Sequence, residues 1–376
     1  MSNKKRILFL TGTRADFGKI KSLIKVLEST NDFEPYIFVT GMHMQETYGY
    51  TLIEVQKSGF KNIVTFENHT DESTMDLTLA KTIQGFSAHV KELDPDLIVV
   101  HGDRVEALAG AIVGSLNNIL VAHIEGGELS GTIDELIRHS VSKLSHIHFV
   151  ANKEAQKRLL QMGELDSSIK IIGSPDLDIM FSNNLPKLEE AKCYYEIPFE
   201  SYAIAMFHPV TTEIESIETY AENFVSALIQ SDKNYVVVYP NNDLGSKHIL
   251  ESYKEFLGNE RFRVFPSLRF EYFLTLLKNS HFIIGNSSAG IREAPCYGIP
   301  TINIGTRQKN RAMHTRILNT DYSINSIKSA LVSELSKNYI DERRYGDGNS
   351  AALFLNSLKA DEFWEIEHQK QFKEIQ

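Results

Sequence analysis

A chain of 376 residues, 42% hydrophobic and 23% charged, has a globular protein's composition and is long enough for two domains with separate cores. Its formal net charge of −10 argues against nucleic-acid binding, which favours basic surfaces, yet a local cationic pocket can still take an anionic metabolite. No apolar run reaches the ~20 residues of a membrane span, and two cysteines, Cys193 and Cys296, give neither a disulfide framework nor a metal spacing, so a reducing, cytoplasmic setting is expected.

Residues 6–13 (RILFLTGT) read as a first buried strand, because the apolar part, 7–10, is too short for a secretion signal and runs into a charged loop. The strand ends in Gly12-Thr13-Arg14-Ala15-Asp16, and a helix follows with Ile20, Leu23, Ile24 and Leu27 on one face. Such a junction turns backbone amides and a positive dipole end toward an anion. Arg14 is placed there for a bidentate phosphate contact or, equally, as a solvated loop arginine. The dinucleotide fingerprint GxGxxG is absent. A strand over 36–40 runs into GMHMQETYGYT, with His43 after a glycine. Residues 46–58 and 73–93 read as helices, joined by a polar link at 68–71.

Two apolar runs, 96–100 (DLIVV) and 119–122 (ILVA), each lead to a histidine and then to acids and glycines. Both are short, β-branched and unalternating, the pattern of strands buried on both faces of a parallel sheet. The clusters HGDR and HIEGGE then lie at the carboxyl ends of neighbouring strands, the edge where open α/β sheets bind ligands. Asp103, Glu125 and Asp134, which begins a helix over 134–145 with Thr132 as its N-cap, are expected to converge on one crevice. A charged carboxylate is costly to bury without purpose, and acids crowded together push their pKa values apart, as paired proton-transfer groups require. Helix capping is the competing role for Asp134. His101 and His123 lie close by, but the spacing fits no compact metal motif, and Arg104 and Arg138 beside the acids argue against a cation cage.

Short strands at 146–150 and 169–172 surround a helix at 153–162. At GSPDLDIM (173–180) and SNNLPKLEEA the pattern breaks, and a linker is expected. A second alternating series starts at YAIAMFHP (202–209). It continues through helix 217–230, strand 235–239, helix 246–257, strand 263–265, helix 270–278 and strand 281–284. GNSSAGIREAP then opens a helix, and strand 301–304 ends in GTRQ. A final helix with Phe363 and Trp364 is expected to fold back on the first domain. Alternating strands and helices define an α/β protein of two Rossmann-like doubly wound domains facing a cleft.

GNSSAGIREAP carries the strongest binding signal. Ser287, Ser288 and free amides at a helix start are the short-range donors that phosphate oxygens need. Glu293 can accept both hydroxyls of a ribose; a serine N-cap with a solvent-facing glutamate is the plainer alternative. Arg307, in GTRQ at the next strand end, can neutralise a diphosphate. His208, in FHPVTTE, sits at the first strand end of the second domain, placed to contact a diphosphate and assist its departure. Asn241 is a candidate ligand contact and Phe270 a candidate stacking face for a base, with turn and core roles equally open.

Taken together, GTRADFGK, TGMHM, HGDR, HIEGGE, IRHSVSKLSHIH, FHPVTTE, GNSSAGIRE, REAPCYG and GTRQ resemble the UDP-N-acetylglucosamine 2-epimerase family, from about residue 5 to about residue 320. They resemble its bacterial hydrolysing branch of sialic-acid and related nonulosonate synthesis. The non-hydrolysing branch typically carries Glu-Ala-Gly-Leu-Arg in place of HIEGGE and His-Arg-Arg-Glu-Asn in place of FHPVTTE. The resemblance implies a glycosyltransferase-B-like fold: an N-terminal domain over 1–178 with the catalytic acids, a UDP-binding domain over 179–355 and a C-terminal helix over 356–376. It also implies catalytic roles for Asp103, Glu125 and Asp134, a diphosphate role for His208 in the catalytic set, and ligand-binding positions at Arg14, Ser287, Ser288, Glu293 and Arg307, to which the reading of the residues adds Asn241 and Phe270. A homodimer or homotetramer is implied; from charge, spacing and the lack of a long apolar run, no metal, nucleic-acid or membrane partner is expected, and no cofactor is expected either. The expected reaction converts UDP-GlcNAc and water to N-acetylmannosamine and UDP. The alternatives are a nucleotide-linked 2,4-diacetamido-trideoxyhexose as substrate, a glycosyltransferase of the same fold, and a sugar-nucleotide-binding regulator.

Overall fold

The β-branched runs form strands of two wholly parallel sheets. The computed structural model describes residues 4–69, 74–311, 317–333, 344–371 and 373–374. It divides into one unit of Met1–Glu128, Asp134–Asn183 and Arg344–Gln376, and a second of Leu129–Ile133 and Asn184–Arg343.

The first unit holds β1 (Lys5–Thr11), β2 (Phe33–Val39), β3 (Ile63–Thr65), β4 (Leu97–His101), β5 (Leu120–Ile124), β6 (Ile147–Val150) and β7 (Ile169–Ile171). Their order is β3-β2-β1-β4-β5-β6-β7, so the winding reverses between β1 and β4. Every residue of β4 and β5 is buried, as their unalternating runs predict, and the two pair in parallel with His101 opposite Ile124. The second unit holds β8 (Ala203–Met206), β9 (Tyr235–Val238), β10 (Phe262–Phe265), β11 (Ile283–Gly285), β12 (Thr301–Ile304) and β13 (Ile317–Thr320), in the order β10-β9-β8-β11-β12-β13. Its reversal falls between β8 and β11. In such sheets the crevice at the carboxyl ends flanking the reversal is the ligand-binding position.

Several expected elements are corrected. The helix expected over 46–58 divides into a 3-10 turn, Glu46–Tyr48, and a helix, Leu52–Lys57. Gly49 (φ 91°) and Tyr50 (φ 43°) adopt left-handed backbone between them, which stops helix propagation. Over 246–257 the α-helix ends at Ser252 and tightens into a 3-10 turn, Tyr253–Phe256. Of the stretch where a linker is expected, the boundary between units falls at Asn183–Asn184, within SNNLPKLEEA, and GSPDLDIM is not part of it. Asp176–Met180 is a helical turn of the first unit, with Asp176, Leu177 and Met180 buried.

The chain returns to the first unit at its end. Phe354, Leu358 and Phe363 join that unit's core, Phe363 stacks on Phe149, and Trp364 stacks on Phe33. Beyond them the Lys370 ammonium donates to the carbonyls of Ser142 (3.1 Å), Lys143 (3.0 Å) and Ser145 (2.6 Å), at the end of helix Ile133–Leu144. A cation there satisfies orphan carbonyls and opposes the negative dipole end. No helix among the described residues is long and apolar enough to cross a membrane.

Candidate active site

In the first unit, the segments after β1, β4 and β5 are adjacent because their strands are. Glu125 follows β5 directly. It is 3% exposed, and its backbone is left-handed at φ 65°. A non-glycine residue held there stores strain that the surroundings must over-determine, a condition that clusters at functional sites. The surroundings are explicit. Ser174 donates its hydroxyl to Glu125 Oε1, while Lys19 Nζ and His101 Nε2 lie 3.5 and 3.4 Å from Oε2. Arg138 Nη1 donates to the Glu125 carbonyl at 2.8 Å, and its Nη2 pairs with Asp103. One guanidinium thus ties two of the three expected acids together. Asp134 is buried one helical turn before Arg138 on the same helix, where i and i+4 share a face.

Asp16 locks the loop after β1. Its carboxylate takes the Gly12 amide at 2.9 Å and the Thr13 hydroxyl, and burial raises its pKa. Arg14, expected on a phosphate, pairs with Glu54 of helix Leu52–Lys57. Among the described residues no group of three or more histidines, cysteines, aspartates or glutamates is arranged to hold a metal ion.

His43 and His123 are structural. His43 spans Thr11 Oγ1 (3.1 Å) and Thr51 Oγ1 (2.7 Å), and His123 Nε2 donates to the Gly102 carbonyl at 2.8 Å. Burial above all pushes both rings down to about 3. Between about pH 3 and 6.5 the unfolded chain therefore binds protons that the native rings refuse. Stability from these rings is complete above pH 6.5 and falls as pH drops toward 3, by up to about 1.4 kcal/mol per pH unit per ring. Urea unfolding at pH 7.5 and 5 is expected to show this loss, and His123→Gln to flatten the slope. An unchanged slope in that variant would refute the assignment.

In the second unit the strand-end residues again assemble. Asn286, after β11, grips the His208 backbone after β8: its Oδ1 accepts the His208 amide at 2.6 Å and its Nδ2 donates to the His208 carbonyl at 2.8 Å. This close approach needs Gly285, where φ is 130° and a Cβ would lie 1.9 Å from the Met206 carbonyl oxygen. The Asn241 amide donates to His208 Nδ1 at 3.0 Å, so the neutral ring carries its proton on Nε2. After β12, Arg307 Nη1 and Gln308 Nε2 donate to the Asn286 carbonyl at 3.3 and 2.7 Å. Glu213 anchors the same loop, accepting from Thr306 Oγ1 (2.5 Å) and the Tyr322 hydroxyl (2.7 Å).

The helix expected at GNSSAGIREAP is a 3-10 turn, Ser288–Gly290, followed by four helical residues, Glu293–Cys296. Pro295 within the second piece has no amide to donate, so no long dipole develops. Ser287 and Ser288 are half-buried at the turn, and Ser287 accepts the Ala289 amide at 3.3 Å. Glu293 is 5% exposed; Phe270 begins helix Phe270–Lys278 and is also buried.

Lys19, Ser174, Asp176, Glu213 and Asn286 were not identified as site residues from sequence. Lys19, Glu213 and Asn286 lie within motifs read for other residues. Ser174 and Asp176 had a signal as well, since GSPD follows a strand end as GTRAD and GNSS do.

Two doubly wound parallel-sheet units, each with a polar cluster at the reversal of its winding, define an α/β protein of glycosyltransferase-B-like architecture. The chain belongs to the UDP-N-acetylglucosamine 2-epimerase family, which matches residues 25–359, and it is an enzyme of that family. It is 49% identical over 375 residues to UDP-N-acetylglucosamine 2-epimerase of Neisseria meningitidis serogroup B, covering 99% of each chain. It is 32% identical to UDP-N,N'-diacetylbacillosamine 2-epimerase (hydrolyzing) of Legionella pneumophila, covering 94% of this chain and 96% of that one. A crystal structure of Methanocaldococcus jannaschii UDP-GlcNAc 2-epimerase in complex with UDP-GlcNAc and UDP shares the fold, at 21% identity and a TM-score of 0.80, over 94% of this chain and 99% of that one.

Proposed function

We propose that the protein is a hydrolysing 2-epimerase that converts UDP-GlcNAc and water to N-acetylmannosamine and UDP, in the cytoplasm, as a homodimer or homotetramer. The observation that carries this reading is the strained, buried Glu125, held by Lys19, His101 and Ser174 and joined through Arg138 to Asp103. The identity to the Neisseria epimerase supports the substrate, and the Legionella relative, named as hydrolyzing, supports the use of water.

The C2 proton has no adjacent carbonyl to acidify it. One carboxylate removes it as the C1–O bond to UDP breaks, which gives a glycal without a free carbanion. A second acid returns a proton to C2 from the opposite face while water adds its hydroxyl to C1. Asp103 and Glu125 act at the sugar carbons, and Asp134 orients or shares a proton. His208, through Nε2–H, with Arg14, Arg307 and the Ser287–Ser288 turn, stabilises the departing diphosphate. Asn241, Phe270 and Glu293 hold the nucleoside.

Incubation with UDP-GlcNAc in heavy water, without acceptor or added metal, is expected to release UDP and free N-acetylmannosamine carrying deuterium at C2. UDP release with proton and configuration retained at C2 would eliminate the proton-transfer scheme, and a product still bearing UDP would eliminate hydrolysis. A glycosyltransferase would release UDP only with an acceptor, and a regulator would bind without turnover. Faster UDP release from the nucleotide-linked diacetamido-trideoxyhexose would move the substrate to that sugar.

A further inference from the structure

Glu125 does not hold Lys19 alone. The ammonium lies 3.5 Å from Glu125 Oε2 and 3.6 Å from Asp176 Oδ2, and the three side chains are 4, 2 and 11% exposed for Glu125, Asp176 and Lys19. Two buried carboxylates thus share one cation. The segment that supplies Asp176 also supplies Ser174, whose hydroxyl donates to Glu125 Oε1. It is fixed in place: the Ser174 amide donates to the Tyr345 carbonyl at 2.6 Å, and Gly173, at φ 81°, packs against Tyr345 and Gly346.

We infer that Ser174 and Asp176 are positioning residues that act through Glu125, setting the pH at which it exchanges its proton by opposing influences. The Ser174 hydroxyl favours the carboxylate, because a donor hydrogen bond is strongest to the charged form. Asp176 works the other way. By sharing the Lys19 ammonium and adding a negative neighbour, it keeps Glu125 easier to protonate than an exclusive lysine partner would. His101 from β4 and Arg138 from helix Ile133–Leu144 also face Glu125, the latter pairing with Asp103, while Asp16 lies beside His101. These side chains stay unsubstituted in variants at 174 and 176.

This inference rests on the proposed reaction for its meaning, but its test does not. The Glu125 carboxyl is followed by 13C NMR in substrate-free protein labelled at glutamate and assigned with Glu125→Gln. Asp176→Asn is expected to lower its titration midpoint by about one pH unit, and Ser174→Ala to raise it by a similar amount. Asp176→Ser and Ser174→Gly are expected to move it in the same directions as Asp176→Asn and Ser174→Ala, and keep the signs readable where the first variants fail to fold. In turnover, the limb of the kcat/KM pH profile that belongs to Glu125 should move in the same directions. Midpoints that stay put, or move the same way in the first two variants, overturn the inference. Opposed NMR shifts in a protein that leaves UDP-GlcNAc untouched would support the coupling and remove the proposed reaction instead.

Discussion

Glu125→Gln is expected to lower kcat for UDP release by about 10^3-fold, within the range of general acid–base catalysis, while KM changes severalfold at most. The amide keeps the shape and can still accept the Ser174 hydroxyl, so the left-handed backbone and the Arg138 contact to the carbonyl should persist. What is lost is the exchangeable proton and the charge facing Lys19 and His101. Binding of UDP alone, measured by calorimetry, should be near wild type, because the proposed nucleotide contacts, Arg14 apart, belong to the second unit, and none of them is changed. Asp103→Asn should also slow turnover, with a larger structural component, since it removes the anion paired with Arg138. A Glu125→Gln enzyme retaining more than a tenth of wild-type kcat would take Glu125 out of the proton transfers.

The strands that position these groups were legible because burial on both faces leaves an unalternating signature, and β4 and β5 carry it without interruption. Asp103, Glu125 and Asp134 stood out for a related reason: acids beside wholly apolar strands need an explanation. Residues that act through others left a weaker mark. Ser174 and Asp176 follow a strand end, as GTRAD and GNSS do, but that strand has three residues, too short for a period, and the proline between them reads as a break. Arg138 and Lys19 sit within helices whose periodicity reports which face is inward, not what a terminal guanidinium or ammonium will meet. GNSSAGIREAP, the proposed nucleotide grip, reads as a helix start because a strand ends in Gly-Asn-Ser-Ser, with two hydroxyls and free amides. The break at Ile291–Arg292 makes that two short turns, and Pro295 inside the second has no amide to extend it backward, while the serine hydroxyls and amides remain. The Lys370 contacts join residues more than 220 positions apart, a separation on which local patterning is silent.

That tail sets the second large effect. Glu164 is 1% exposed and accepts from His148 Nε2 at 3.0 Å and Lys143 Nζ at 2.8 Å, with Lys370 Nζ 2.5 Å from Oε2. Burial raises its pKa, but His148, Lys370 and Lys143 outweigh burial and hold it down at about 2. Glu164→Ala leaves these donors facing an apolar gap. The side chains of Lys143 and Lys370 are 44 and 24% exposed and can turn to water, so the cost is that of lost charge-assisted hydrogen bonds and the packing around them, about 2–3 kcal/mol, or a fall in Tm of about 6 °C. The pH dependence follows from the sign of the shift. A carboxyl with its pKa depressed on folding contributes fully above its unfolded value near 4.5 and loses that contribution as pH falls toward 2. The gap between wild type and variant in urea unfolding should therefore be widest at neutral pH and narrow below pH 4. Lys370→Met should cost less, because Lys143 and His148 still serve Glu164, yet it should expose the chain beyond Trp364 to a protease of broad specificity such as proteinase K. A Glu164→Ala protein that matches wild type at pH 7 would mean that the tail merely lies on the first unit, with no contribution to holding helix Ile133–Leu144 in place.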